Sequence, residues 1–202
     1  MHHGRTDAGV HAFGQVANFK TNSNLPTEKF AIAINSRLKK TIVIKNAQEV
    51  DENFHSRYNC KQKTYEYVID NSEYGSAIYR NLAYHISQKL NIEKMIKAAK
   101  YFEGEHDFKA FKASGTSSKS SVRTIYKAEV FEEGQNIKIR LTGNGFLYNM
   151  VRIISGTLVE VGLGKIQPDE ISKIIEGKDR TKAGKTLPAH GLYLVSVEYS
   201  EK

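Results

Sequence analysis

Gln62-Lys63-Thr64-Tyr65-Glu66-Tyr67-Val68-Ile69-Asp70 places Tyr65, Tyr67 and Ile69 on one side of an extended chain and Glu66 and Val68 on the other. Period-two alternation over nine residues rich in β-branched and aromatic types predicts a strand with one face on a core. Two further segments supply partners. Arg123 to Glu132 and Asn136 to Thr142 read as a hairpin around Glu133-Gly134-Gln135, and Leu192 to Tyr199 reads as a closing strand. Gly14 to Lys20, Thr41 to Ile44 and Ala77 to Ile86 are also expected to be strands, and the first twelve residues are expected to form a loop.

Helices are expected between these strands. Pro26-Thr27-Glu28 opens one that carries Phe30, Ile34 and Leu38 at four-residue spacing. Asn91 starts another, with Ile92, Met95, Ile96 and Ala99 inward and an end near Gly104. Phe146 to Val161 has helical periodicity, and Pro168 to Glu176 forms a shorter helix. Helices interleaved with frequent hairpins predict an α+β fold: a mixed, mostly antiparallel sheet flanked by helices. The halves 1–88 and 89–202 share a coarse grammar of strands plus helices. Lys112 to Val122, rich in Ser, Gly and Lys, is the low-complexity run and reads as a basic loop.

Composition sets the outer bounds. The 202 residues are 40% hydrophobic and 26% charged, ordinary globular values that exclude collagen-like and wholly disordered chains. Thirty Lys and Arg against 22 Asp and Glu give a net charge of +8, which suits a polyanionic partner without naming one. One cysteine, Cys60, excludes an intrachain disulfide and fits a reducing compartment. There is no Cys pair and no His-x3-His spacing, so no metal site is expected. The N-terminus lacks the apolar region of a signal peptide, and no uncharged run approaches the ~18 residues of a bilayer span. A soluble, cytoplasmic protein that does not enter a membrane is expected.

Three places carry chemistry. In Arg5-Thr6-Asp7-Ala8-Gly9 a carboxylate stands beside a fixed cation and next to small residues that admit a substrate; an Asp held by Arg stays ionised and serves as nucleophile, base or electrostatic stabiliser. Tyr65 sits among cations in Lys61-Gln62-Lys63-Thr64-Tyr65, a shelf for an unstacked base or else a cross-strand aromatic. Arg152 is a cation on an apolar helix face and requires a partner, for which a half-buried Asp is the natural choice. A hydrolase using Asp7 with His11 would need a second carboxylate or nucleophile motif, and none stands beside them.

Gly4-Arg5-Thr6-Asp7-Ala8-Gly9-Val10-His11-Ala12 resembles the signature loop of the TruA family of tRNA pseudouridine synthases. The resemblance continues, in family order, through Phe54-His55-Ser56-Arg57, Lys63-Thr64-Tyr65-Glu66-Tyr67 and Gly104-Glu105-His106-Asp107-Phe108. It runs on through Arg123-Thr124-Ile125, Asn144 to Arg152 and Pro188-Ala189-His190-Gly191-Leu192-Tyr193-Leu194.

The resemblance implies the pseudouridine synthase fold and isomerisation of uridine to pseudouridine in the anticodon arm of tRNA, at positions 38 to 40, without a cofactor and by a homodimer. It implies that Asp7 is the catalytic aspartate, that Tyr65 stacks on the base and moves the C5 proton, and that Arg152 pairs with Asp7. Arg5 would fill the space left by the uridine, Arg57 would contact substrate, and Leu192 and Leu194 would wall the pocket. Lys109, Lys112, Lys119 and Arg123, in or beside the basic loop, are expected RNA contacts. Family members carry a further strand and helix before the loop, so a truncated N-terminal half is expected in 1–88, with 89–202 completing the cleft. A truncated, non-catalytic RNA-binding remnant is the alternative.

Overall fold

The computed structural model describes residues 2–3 (backbone only), 6–115 and 120–199. By backbone contacts the chain forms two compact units. One gathers Val16–Asn59 with the first strand; the other gathers residues 6–15 and 60–199.

The first unit is held mainly by polar side chains, and none of its helical residues is buried. Strand β1 (His2–His3) pairs antiparallel with β3 (Ala17–Asn18), and a single 3-10 turn leads into helix α1 (Phe30–Asn35). The expected strand at 41–44 does not form. The amide of Asn35 takes both polar groups of Ile44, donating to its carbonyl at 2.8 Å and accepting from its N–H at 2.7 Å. A side chain thus supplies what a strand partner would have supplied. Asn18 works in the same way, donating to the Phe54 carbonyl at 3.0 Å and accepting from the Ser56 N–H at 3.0 Å.

The second unit is built on one mixed sheet. Its strands are β2 (His11–Ala12), β4 (Cys60–Asp70), β5 (Tyr84–His85), β6 (Gly104–Asp107), β7 (Val122–Glu133), β8 (Asn136–Gly143) and β9 (Leu192–Tyr199). The order is β2-β9-β4-β8-β7-β6, with β5 beside β4; β2–β9 and β4–β5 are parallel and the other pairs antiparallel. The α+β class expected from the sequence is therefore the observed one. Three expectations within it are corrected. The first twelve residues contain β1 and β2, Gly14 to Lys20 contributes only Ala17–Asn18, and Ala77 to Ile86 contributes only Tyr84–His85.

The alternation in β4 does what its pattern requires. Tyr65, Tyr67 and Ile69 stand opposite Leu141, Ile139 and Ile137 of β8, while Tyr65 and Tyr67 stand opposite Leu194 and Leu192 of β9. This face carries helices α2 (Ile92–Ala99) and α3 (Met150–Gly162), and with them the main core. Helix α2 starts at Asn91, whose side chain caps the Lys94 N–H at 2.9 Å. It buries Met95, Ala98 and Ala99 but leaves Ile96 exposed, so its apolar stripe is rotated from the expected one. Helix α3 begins four residues later than its periodicity suggests. Helix α4 (Glu170–Gly177) buries Ile171, Ile174 and Ile175. On the opposite face of β4, the buried Glu66 accepts from Arg140 Nη2 at 2.6 Å and Nε at 3.0 Å.

One backbone contact fixes a loop against α3. A Cβ on Gly156 would fall 1.9 Å from the Lys185 carbonyl oxygen, and one on Gly184 would fall 2.5 Å from the Gly156 carbonyl carbon and the Thr157 nitrogen. Thr157 Oγ1 donates to the Ile153 carbonyl and accepts from the Gly184 N–H, both at 2.8 Å. The segment 184–187 consequently lies directly on the helix.

Candidate functional site

That segment delivers a carbonyl to the helix arginine. Arg152 lies on the partly exposed side of α3; its Nε donates to the Leu187 carbonyl at 2.6 Å and its Nη1 to Asn149 Oδ1 at 2.7 Å. The Leu187 N–H returns a bond to the Arg152 carbonyl at 3.3 Å. Guanidinium orientation is thus set by two acceptors on different nitrogens, which the rigid fork of Arg allows and the single ammonium of Lys does not.

Asp7 stands in front of this cation. Its carbonyl accepts from the Val10 N–H at 3.1 Å, closing a turn that needs Gly9 at φ +82°, in the left-handed region. A Cβ on Gly9 would already touch the Ala189 Cβ at 3.4 Å, so the loop packs against the chain just before β9. It then enters β2, in register with β9 at His11–Tyr193 and Ala12–Leu194. Asp7 Oδ2 lies 3.8 Å from Arg152 Nη1, with 38% of the Asp side chain and 17% of the Arg side chain exposed. The pair is an ion pair at its outer limit, without a direct hydrogen bond.

Tyr65 comes from β4, beside Leu194. Its ring meets Phe146 edge to face, with centroids 5.3 Å apart. Burial, followed by the Asp7 charge, pushes its hydroxyl up to about 12. Tyr65 and the strand that follows the Asp7 loop meet at one residue of β9, Leu194, which pairs with Ala12 on one side and Tyr65 on the other. Tyr67, next along the same face, donates to the Pro188 carbonyl at 2.8 Å. Leu192 and Leu194 are both buried on this face.

The other expected residues lie as follows. Arg57 is exposed in the first unit, with Cζ 5.5 Å from the Tyr58 ring centroid. Lys109 is exposed and Lys112 half-buried. Arg123 donates through Nη1 to the Ser120 carbonyl at 3.1 Å and the Val122 carbonyl at 2.5 Å, and burial lowers its pKa. Arg5 and Lys119 lie outside the described residues. His11 is engaged elsewhere: its ring stacks on Tyr193 with centroids 4.8 Å apart, and Nε2 lies 2.9 Å from the Asn81 carbonyl. Among the described residues no cluster of His, Cys, Asp and Glu could hold a metal ion, and no helix is long and apolar enough to cross a membrane.

The sequence reading missed Asn149, Phe146 and the Leu187 carbonyl. The first two stand inside the quoted block 144–152, but their roles depend on backbone angles and ring packing. A carbonyl has no residue-type signature at all.

A mixed sheet with helices on the face that bears Tyr65, and a loop aspartate packed beside its β9 strand, is the pseudouridine synthase fold. A family profile described as tRNA pseudouridine synthase matches residues 2–59 and 98–200. Proteins named tRNA pseudouridine synthase A are similar along nearly the whole chain. The one from Acetivibrio thermocellus is 56% identical over 195 residues, covering 96% of this chain and 80% of its own length. The one from Ruminiclostridium cellulolyticum is 58% identical over 196 residues, with coverage of 96% and 80%. That from Thermoanaerobacter sp. is 53% identical over 195 residues, again covering 96% and 80%. The chain belongs to the tRNA pseudouridine synthase family.

Proposed function

We propose that this chain isomerises uridine to pseudouridine in tRNA, with Asp7 and Tyr65 acting on the target nucleotide and Arg152 setting the Asp7 carboxylate. The carrying observation is the family match over residues 2–59 and 98–200, within which Asp7 and Arg152 fall, Tyr65 lying in the gap between the two matched stretches. Relatives named for the synthase along 96% of the chain favour an enzyme over a non-catalytic remnant.

The reaction balances without an oxidant or a second substrate. The bond from N1 to C1′ breaks, the base turns over, C5 joins C1′, the proton leaves C5 and N1 ends protonated. The carboxylate of Asp7 acts at the sugar while the glycosidic bond is open. The target must leave its stack first, at a cost of a few kcal/mol, offset by stacking on the Tyr65 ring and by backbone contacts. A phenol raised to about 12 keeps its proton at neutral pH, so the Tyr65 hydroxyl moves the C5 proton as a relay, giving up its own proton as it accepts that one. Leu192 and Leu194 supply the apolar wall. Arg5, Arg57, Lys109, Lys112, Lys119 and Arg123 supply substrate and phosphate contacts, in keeping with the net charge of +8.

On the family resemblance, the substrate uridines are those of the anticodon arm, the working form is a cytoplasmic homodimer, and the chain is organised as halves 1–88 and 89–202. The first half brings Asp7 and Tyr65; the second brings Arg152, Leu192 and Leu194. Tritium release from C5-labelled uridine in tRNA, with nucleoside analysis of the mass-neutral product, tests the activity. Asp7→Asn and Asp7→Ala are expected to abolish turnover while tRNA binding survives, because phosphates and not one carboxylate supply most affinity. Turnover within tenfold of wild type in Asp7→Ala refutes the assignment.

A further inference from the structure

Asn149 precedes α3, where a side chain ordinarily caps the helix by accepting from its first N–H groups. It does not do so: its backbone is left-handed, at φ 59° and ψ 8°, and its side chain makes no capping bond. Among the described residues only Lys178 shares a positive φ without being glycine. Asn is among the few side chains that tolerate this region, and the backbone turn redirects its amide from the helix end to the residue three positions on. There Oδ1 accepts from Arg152 Nη1 at 2.7 Å.

The same nitrogen faces Asp7 at 3.8 Å. An unrestrained Arg beside a carboxylate closes to a two-bond pair at about 2.8 Å. Here the guanidinium is held roughly an ångström short of that contact, because Nη1 is drawn to Asn149 and Nε is drawn to the Leu187 carbonyl at 2.6 Å. A carboxylate gripped by two Arg hydrogen bonds has one lone pair on each oxygen occupied and is a weaker nucleophile or base. One that faces a cation at a distance is ionised and still open to substrate.

We propose that Asn149 is a positioning residue that holds Arg152 off Asp7, leaving the carboxylate paired with the cation at a distance and open to substrate. The proposal rests on the assignment of Asp7 to the reaction. The position requires two properties at once, a left-handed backbone and a short acceptor, and substitutions separate them. Asn149→Gly keeps the backbone without strain and deletes the acceptor. Asn149→Asp keeps both. Asn149→Ala deletes the acceptor on a strained backbone.

The test measures kcat and KM on tRNA for wild type, Asp7→Asn and the three Asn149 variants. It adds the melting temperature of each variant, and the NMR signals of the Arg152 guanidinium, whose rotation is slowed by a fixed acceptor. A misplacement of about 1 Å costs up to about 10²-fold in rate. Asn149→Gly is therefore expected to lose roughly 10²-fold in kcat with KM within about twofold. It should melt near wild type, and its Arg152 Nη signals should shift, because the released guanidinium closes on Asp7. Asn149→Asp is expected to keep kcat within about tenfold and to keep the slowed signals. Asn149→Ala should follow the Gly variant in rate even though it melts lower.

If wild type is active, Asp7→Asn is not, and Asn149→Gly turns over within twofold of wild type, the positioning role is refuted and the catalytic assignment stands. If Asn149→Asp loses as much as Asn149→Gly, the acceptor is not what matters, and the proposal again fails. If wild type itself forms no pseudouridine, the catalytic assignment fails. The positions of the guanidinium signals then decide the clamp on their own, unshifted Nη signals in Asn149→Gly refuting it. Should the Gly variant not fold, the comparison of Asn149→Ala with Asn149→Asp makes the same separation.

Discussion

Gly156→Ala sets local propensity against packing. Helix propensity alone favours Ala over Gly in a helix interior by about 1 kcal/mol. The structure predicts the opposite sign. The new methyl carbon would stand 1.9 Å from the Lys185 carbonyl oxygen. Ordinary contact between such atoms is about 3.4 Å, so backbone must separate from backbone by roughly 1.5 Å. Overpacking of this kind costs typically 1–3 kcal/mol, and about 1–3 kcal/mol more is lost if the buried Gly184 N–H leaves Thr157 Oγ1. After subtracting the propensity gain, a net loss of roughly 1–5 kcal/mol is expected, or about 2–20 °C in melting temperature for a chain of this size.

Because Leu187 moves with the segment, Arg152 loses its Nε acceptor, and turnover should fall along with stability. The control is Gly177→Ala, at the end of α4, where an added Cβ meets nothing within 4 Å; it should be neutral or stabilising. Urea denaturation and turnover on tRNA check both. If Gly156→Ala stabilises the protein as Gly177→Ala does, the contact between helix and segment is not as described.

Tyr65→Phe keeps the stacking face and deletes the hydroxyl. It should bind tRNA normally and lose about 10²–10⁴-fold in the chemical step, while Tyr65→Leu should lose base capture as well. The folded hydroxyl is raised to about 12 against about 10 unfolded, so it contributes stability below pH ~10 that is lost as pH rises toward 12. Tyr65→Phe should flatten that alkaline fall in denaturation curves. Asp107 has the opposite sign. Hydrogen bonds from Lys178, at 2.8 Å, and from Ser121 hold its carboxyl below the usual range, so its contribution is full above pH ~4 and lost as pH falls further. An Asp107→Asn chain should show a shallower acid limb, and an unchanged limb would remove Asp107 from the account. Neutralising Lys109 and Lys112 should flatten the dependence of log K for tRNA on log salt by about one per lost phosphate contact, and an unchanged slope assigns them to solvated surface.

What could be read in the sequence follows from which groups do the holding. The alternation of Tyr65, Tyr67 and Ile69 was legible because side chains of a strand report which face is covered. The hairpin around Gly134 was legible because its turn needs a residue at positive φ, here +62°. Ile42 and Val43 are β-branched and look equally strand-like, yet both are exposed, and the amide of Asn35 replaces the ladder. No local pattern announces that substitution. In the site, Asp7 and Arg152 were visible as charged residues in unusual company, whereas the groups that aim Arg152 were not. One is a main-chain carbonyl, and the other is an Asn whose left-handed backbone exists only in the folded chain.

The chain from Leu187 to Leu194 touches every part of the site. Its first carbonyl holds Arg152, Ala189 abuts the Asp7 loop at Gly9, Tyr193 and Leu194 pair with β2, and Leu194 faces Tyr65 across the ladder. Asp7, Tyr65 and Arg152 arrive from three distant stretches of chain, but each is surveyed from this one benchmark. A displacement of this stretch reaches all three at once, through the acceptor of Arg152, the neighbour of the Asp7 loop and the strand partner of Tyr65. Alignment of the site is therefore sensitive to errors within these eight consecutive residues.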